Sequence, residues 1–387
     1  MKVLRNFIEK IKPSFEKDGR LSFLHSTFDA FETFLFVPGS TTRKGVHVRD
    51  SIDLKRNMSV VILALMPAML FGMWNTGYQH NLSVGVEAGF WATFWFGVIK
   101  VLPLIVVSYV VGLGIEFVAA QIRGHEVNEG FLVSGILIPL IMPIDVPLWI
   151  LALSVAFAVI VGKEVFGGTG MNIWNPALLS RAFVFFAYPA HISGDKVWVE
   201  GLAKGAGIID GFSGATPLAN AASGAGTPSF LDMFLGTIPG SIGETSAAAI
   251  LIGAAILIYT GVASWKIIVS TFAGGFLLAL FLNVVAPAVG TSYLNVPAWD
   301  HMVMGGFAFG AVFMATDPVT GCQTEKGKWI YGFLIGIMAI LIRVFNPGYP
   351  EGMMLAILLL NTFAPLIDHY IVQANIRKRL NRQTTKR

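Results

Sequence analysis

Four groups of side chains in this sequence have types and spacing suited to chemistry. The first is Asp210-Gly211-Phe212-Ser213-Gly214-Ala215-Thr216, in the longest polar segment of the chain. One carboxylate and two hydroxyls stand there among small residues, so a bulky group can approach the backbone closely. A hydroxyl becomes a covalent attachment point when it has room and an activating partner. The plainer alternative is an exterior turn whose Ser or Thr caps the next helix. The second group runs from Val165 to Ala177, Val-Phe-Gly-Gly-Thr-Gly-Met-Asn-Ile-Trp-Asn-Pro-Ala. Its clustered glycines let the backbone bend and offer N–H groups to a ligand. Asn172 and Asn175 present paired donors and acceptors of the kind the edge of a heteroaromatic ring requires. Asn175 before Pro176 equally reads as the N-cap of a helix. No Lys or Ser/Thr stands at phosphate-loop spacing, so ring binding and capping weigh evenly.

The third group is acidic. Glu116, Glu129, Glu164, Asp317 and Asp368 lie in or beside apolar runs. Carboxylates at membrane depth are costly and point to function by default. For Asp368, beside His369, anchoring or pairing with a base is the stronger reading, whereas Glu116, among apolar neighbours, favours function. The fourth group is Gly305-Gly306-Phe307-Ala308-Phe309-Gly310. Small residues permit close helix contact, and the two Phe rings on one span suit an apolar constriction of the kind that gates ions. Ordinary aromatic packing is the simpler account of them.

These groups are positioned by a membrane protein. The chain has 387 residues, 55% of them hydrophobic and 13% charged. A soluble domain carries about 25% charged residues. The apolar runs define about ten spans near 58–77, 100–120, 129–144, 147–163, 175–189, 247–262, 265–287, 301–316, 328–344 and 352–373. Several are short, and Pro103, Pro139 and Pro143 interrupt or end spans, as happens where backbone faces a ligand or ion. One cysteine, Cys322, excludes an internal disulfide framework and any multi-cysteine metal site.

Charge sets the orientation. Residues 1–57 hold eleven Lys/Arg and residues 377–387 hold six, whereas 190–246 hold Lys196 and Lys204 against five acids. By the positive-inside rule, both termini face the cytoplasm and 190–246 faces out. The asymmetry reports topology and not nucleic-acid binding. Val3, Phe7, Ile8 and Ile11 recur at helical spacing beside basic residues, which suits an amphipathic helix on the membrane surface. The expected organisation is an all-α integral membrane protein: a cytoplasmic or interfacial region 1–57, a first five-helix half 58–189, an exterior segment 190–246, a second five-helix half 247–373 and a basic tail 374–387. An odd number of spans per half makes the halves an inverted repeat.

Asp210 to Thr216 resembles the Asp-x-x-Ser-Gly-Ala-Thr sequence on which periplasmic flavin transferases act. The chain as a whole resembles the membrane flavoprotein B subunits of the bacterial sodium-pumping NADH:quinone oxidoreductases. The likeness runs from His47-Val48-Arg49-Asp50-Ser51-Ile52-Asp53 through His125-Glu126-Val127-Asn128-Glu129-Gly130 to Tyr349-Pro350-Glu351-Gly352-Met353-Met354. The D subunit of the Rnf ferredoxin:NAD oxidoreductases shares the flavin motif, but the long basic N-terminal region favours the quinone reductase. The resemblance implies FMN joined through its phosphate to Thr216, with Asp210 and Ser213 read by the transferase, and riboflavin held non-covalently beside Asn172 and Asn175. It implies a site for ubiquinone or another quinone at Gly112, Leu113 and Glu116, with Leu113 standing where the family carries a second Gly. Carboxylates linked to sodium fall on Asp29, Glu116, Asp317 and Asp368, and Phe307 and Phe309 lie in the span associated with the ion path. The implied partners are the other subunits of a six-subunit complex in the inner membrane, among them a periplasmic FMN subunit and an NADH-oxidising FAD/iron–sulfur subunit. A non-redox channel or carrier, and a purely structural scaffold, would explain the spans but predict no covalent flavin.

Overall fold

A computed structural model of the chain describes residues 8, 10–15, 28, 32, 45–46, 54–123, 130–205, 208–209, 211–289, 292–346 and 351–384. Most of the N-terminal region, including Asp29 and, of the expected surface helix, Val3 and Phe7, and also Asp210 of the flavin motif, lie outside the described residues. Among the described residues the secondary structure is helical, with no strand.

The first pair of helices is long: α1 (Leu54–Val84) and α2 (Phe90–Arg123). At 34 residues α2 extends about 50 Å, well beyond a hydrocarbon core of about 30 Å. Its first turns carry Phe90, Trp91 and Trp95, all exposed, as suits an aromatic belt at the membrane interface. Pro67 and Pro103 lie inside these helices without breaking them.

The next elements are short. The helix α3 (Phe131–Leu140) stops after Pro139, and residues 141–147, with Pro143, form a non-helical break. Then α4 (Leu148–Val159) passes into a π-helical turn, Ile160–Glu164, before α5 (Pro176–Ala187). At 10 residues α3 spans only about 15 Å. A helix that stops at such depth leaves C-terminal carbonyls without helical partners. The Leu140 carbonyl is met by the Gly243 amide at 2.7 Å, so a distant loop completes the helix.

That loop closes the acidic segment. After the small helices α6 (Pro217–Ser223) and α7 (Phe230–Leu235), residues 241–247 are all buried. The charge count places the whole segment 190–246 outside the membrane, which is compatible with burial of this stretch inside the protein. Several of its polar groups are met inside the protein, the Gly243 amide by the Leu140 carbonyl and the Glu244 carboxylate by Arg181, and just before it Asn75 Nδ2 donates to the Ile238 carbonyl at 2.9 Å. Helix α8 (Ala247–Tyr259) then leaves the loop with Ser246 as N-cap.

The remaining helices are α9 (Trp265–Val289), α10 (Ala298–Val303), α11 (Glu325–Phe345) and α12 (Met353–Thr384). The sequence pattern predicts one continuous span over 301–316. The structure breaks it at Met304–Gly306, after which Phe307–Phe309 leads into a second π-helical turn, Gly310–Met314. Gly305 sits at φ +58°, a left-handed conformation that disfavours a side chain. The carbonyls freed by the break are held by Arg343, fully buried on α11, which donates to His301 O at 2.7 Å and Met304 O at 3.2 Å. Helix α12 absorbs the start of the basic tail, running on to Thr384.

Helices α1 to α5 pack with α8, and α9 to α12 pack together; α5 against α12 joins the two groups. Among the described residues, five helices are long and apolar enough to cross a membrane, and α3, α5 and α8 are shorter apolar helices. This is a multi-pass membrane architecture.

Candidate functional site

Two cavities flank this framework, one at each end of α5 and α8. The first, about 410 Å³, is lined by Thr216, Pro217, Leu218, Asp195, Ser241 and Thr245, with Arg181, Glu244 and Glu351 also in its wall. Thr216 is the N-cap of α6, its Oγ1 accepting from the Ala219 amide at 3.3 Å, and Pro217 follows at the first helical position. The hydroxyl is therefore an acceptor to the backbone, and Thr216 is one of the residues lining the cavity. Ser213 does not line the cavity; its Oγ accepts from the Ala215 amide at 3.3 Å. Gly214 is required by space: a Cβ there would lie 2.4 Å from the Asp195 carbonyl oxygen. The capping reading of this motif is thus correct, and the capping residue also lines the cavity.

The charged wall of this cavity was not foreseen from sequence. Arg181, on α5, donates to Glu244 Oε1 at 2.9 Å and pairs with Glu351. All three side chains are buried or nearly so. Gly306 gives the carboxylates their space: a Cβ there would lie 2.6 Å from Glu244 Oε1 and 2.7 Å from Glu351 Oε1. The Gly305-Gly306 pair therefore serves a helix break and a carboxylate pair rather than a helix–helix seam. The signal that could have found the cluster is a lone Arg in an apolar run, which needs a partner of opposite charge. Thr245 Oγ1, also on the wall, is buried and has no hydrogen-bond partner among the described residues.

The second cavity, about 550 Å³, is lined by Asn172, Asn175, Thr169, Lys163, Asp317 and the apolar side chains of Val61, Val133, Leu137, Leu257 and Phe313. Asn175 is the N-cap of α5: its Oδ1 accepts from the Ala177 amide at 2.9 Å, and its Nδ2 donates to Asp317 Oδ2 at 3.3 Å. Asn172 Nδ2 donates to the Trp174 carbonyl at 3.1 Å. The capping reading of Asn175 therefore holds, and the capping residue also lines the cavity. Asp317 further accepts from the Val319 amide and the Thr320 hydroxyl, each at 3.0 Å. The Asn175–Asp317 contact joins the two helix groups at the cavity.

Glu116 lies behind this wall. On α2 it is buried and pairs with Lys163 of the π-helical turn. Next to Lys163, Glu164 takes Arg123 at 3.1 Å. Gly112, one turn before Glu116, abuts the Phe131 ring, and Leu113 is partly buried against the core. Asp368 is not at either cavity. It accepts from the Gln323 and Thr324 amides at 2.7 and 3.1 Å and so ties the 315–324 loop to α12. Phe307 and Phe309 are fully buried. Phe307 packs on Phe272 and under Arg343, Phe309 on Phe313, and only Phe313 reaches a cavity.

The comparisons with known proteins agree with one another. A model of the NQR2, RnfD, RnfE family matches residues 41–377. The chain is 48% identical, over an alignment 408 positions long, to the B subunit of the Na(+)-translocating NADH-quinone reductase of Ectopseudomonas mendocina, with 98% of this chain and 99% of that protein covered. The proteins of the same name from Azotobacter vinelandii and Pseudomonas aeruginosa are each 47% identical, with the same 98% and 99% coverage. With the match extending over nearly its whole length, the chain belongs to the NQR2, RnfD, RnfE family.

Proposed function

We propose that the chain is a membrane subunit of a sodium-translocating NADH:quinone oxidoreductase, with FMN joined to Thr216, riboflavin in the Asn172 cavity and a quinone near Gly112, Leu113 and Glu116. The observation that carries this reading is the position of Thr216. Thr216 lines a cavity of about 410 Å³, within the range of small-molecule sites of about 300–1,000 Å³. Thr245, another lining residue, has a buried hydroxyl with no hydrogen-bond partner among the described residues, and buried polar groups of this kind are ordinarily satisfied by a partner or bound water. The second cavity suits a ring with polar edges, because both amide and carboxylate side chains and apolar side chains line it. Flavins supply the electron-transfer chemistry when bound.

The chain's own residues bind, orient and balance charge. Thr216 anchors the outer group, and Asp210 and Ser213 present the motif to a flavin transferase. Asn172 orients the inner group and Asn175 fixes the start of α5 against Asp317. Asp29, Glu116, Asp317 and Asp368 are the carboxylates of the sodium route, with Phe307 and Phe309 packed beside it. In this reading ten crossings form two inverted five-helix halves in the inner membrane, with both termini cytoplasmic. Thr216 faces the periplasm, where a partner FMN subunit delivers electrons that begin at the NADH-oxidising FAD/iron–sulfur subunit.

The test is the intact mass of the chain made with its transferase. We expect an added mass of FMN less water, and a fluorescent band in a denaturing gel, both lost in Thr216→Ala. An unmodified wild-type chain in an active complex would remove the outer flavin from this subunit.

A further inference from the structure

Lys163 occupies an unusual position between two features that the proposed function treats separately. It is buried, lies in the π-helical turn Ile160–Glu164, and lines the Asn172 cavity together with Asn172, Asn175 and Asp317. Its ammonium pairs with Glu116 on α2, and both side chains are only 5% exposed, so water does little to screen either charge. An ammonium has three donors on a flexible four-carbon stem, which suits it to more than one acceptor. The turn that carries it is pinned on its other side: Arg123 Nη1 and Nη2 donate to Glu164 Oε2 at 3.1 Å and to the Glu164 carbonyl at 2.7 Å. Arg123 and Glu116 sit seven residues apart on α2, so the turn is held to α2 at two points, and Lys163 both pairs with Glu116 and lines the cavity. Insertions of the π type inside helices are frequent at functional sites.

We propose that Lys163 is the counter-charge of the Asn172 cavity, sharing its ammonium between Glu116 and the redox group held there. This rests on the reading that the cavity holds a flavin. When one electron enters the cavity, supplied by NADH oxidised elsewhere in the complex, one negative charge is added at low dielectric. The existing positive charge of Lys163 shifts toward it and away from Glu116. No bond forms or breaks and no proton is consumed. Charge in the cavity is thereby felt at Glu116, and the carboxylate in turn limits how much of the ammonium the cavity can use.

Two substitutions have opposite effects under this proposal. In the assembled complex, Lys163→Met removes the counter-charge and Glu116→Gln removes its competitor. The readout is the midpoint potential of the non-covalent flavin, followed by its absorbance in a redox titration. For Lys163→Met we expect the reduced form to be at least tenfold less favoured, about 59 mV lower for a one-electron step. For Glu116→Gln we expect a shift in the other direction, and Lys163→Arg restores the wild-type value in large part. A merely structural role for the ion pair predicts shifts of the same sign in both variants, and that result, or no shift, overturns the proposal. Should Lys163→Met fail to assemble, judged by loss of the fluorescent band at Thr216, the sign of the Glu116→Gln shift decides. A wild-type complex without extractable non-covalent flavin overturns the cavity reading and this proposal together, whereas bound flavin at an unshifted potential overturns the proposal alone.

Discussion

Asn175 carries two duties that oppose most substitutions. Its carbonyl oxygen caps α5 and its amide nitrogen donates to Asp317. Replacing an Asn N-cap by Ala costs about 1 kcal/mol. Ser and Asp both cap well, yet Asp would set a second carboxylate where Asn175 now donates 3.3 Å to Asp317. Asn175→Ser is therefore expected to keep nearly the wild-type melting temperature of the purified protein, and Asn175→Asp to lower it, with a partial return as pH falls and one carboxylate protonates. The capping half of this was legible in the sequence, because Asn-Pro at a helix start is a local signal. The Asp317 half was not, since 142 residues separate the partners. Cys322 is simpler. It is 2% exposed, and burial, with the Asp368 carboxylate adding to it, pushes its thiol up to about 12. Because the thiolate is the reactive form, alkylation by iodoacetamide at pH 8 is expected to be far slower in the folded protein than after denaturation; equal rates would contradict the burial.

At the scale of elements, the broken helix α10 and the buried loop before α8 depend on one another. Gly306 leaves room for Glu244 and Glu351, Arg181 neutralises part of their charge, and Arg343 holds the carbonyls that the break exposes. Removing one partner of a buried ion pair costs about 3–5 kcal/mol because a charge is left uncompensated. Arg181→Met is thus expected to be severely destabilising, and the triple variant with Glu244→Gln and Glu351→Gln to recover much of the loss in a thermal unfolding assay. Gly306→Ala tests the same arrangement through volume, since the added methyl meets both carboxylates and overpacking of this kind costs about 1–3 kcal/mol. The sequence marked the glycines but assigned them to a helix seam, because a small-residue pattern on a span carries no record of what fills the space beside it.

Across the whole molecule, the two cavities stand at opposite ends of α5 and α8, and the proposed electron route runs between them. The orientation can be tested with cysteines, because Cys322 is buried and contributes little background. A cysteine at exposed Ala225 is expected to react with an impermeant maleimide in intact cells, and one at exposed Arg382 only after the membrane is opened. The reverse pattern would invert the topology. By itself the sequence determined the membrane class, the approximate places of the helices, the Thr216 motif and the Asn172–Asn175 loop. Each of these is written in local composition or in contiguous spacing. Only the tertiary structure decided that the closing loop of the acidic segment is buried, that the 301–316 span is broken, and that Arg181 meets Glu244 and Glu351 while Lys163 meets Glu116. Those outcomes depend on buried charges finding partners across the chain, and a one-dimensional pattern records the charges but not the meetings.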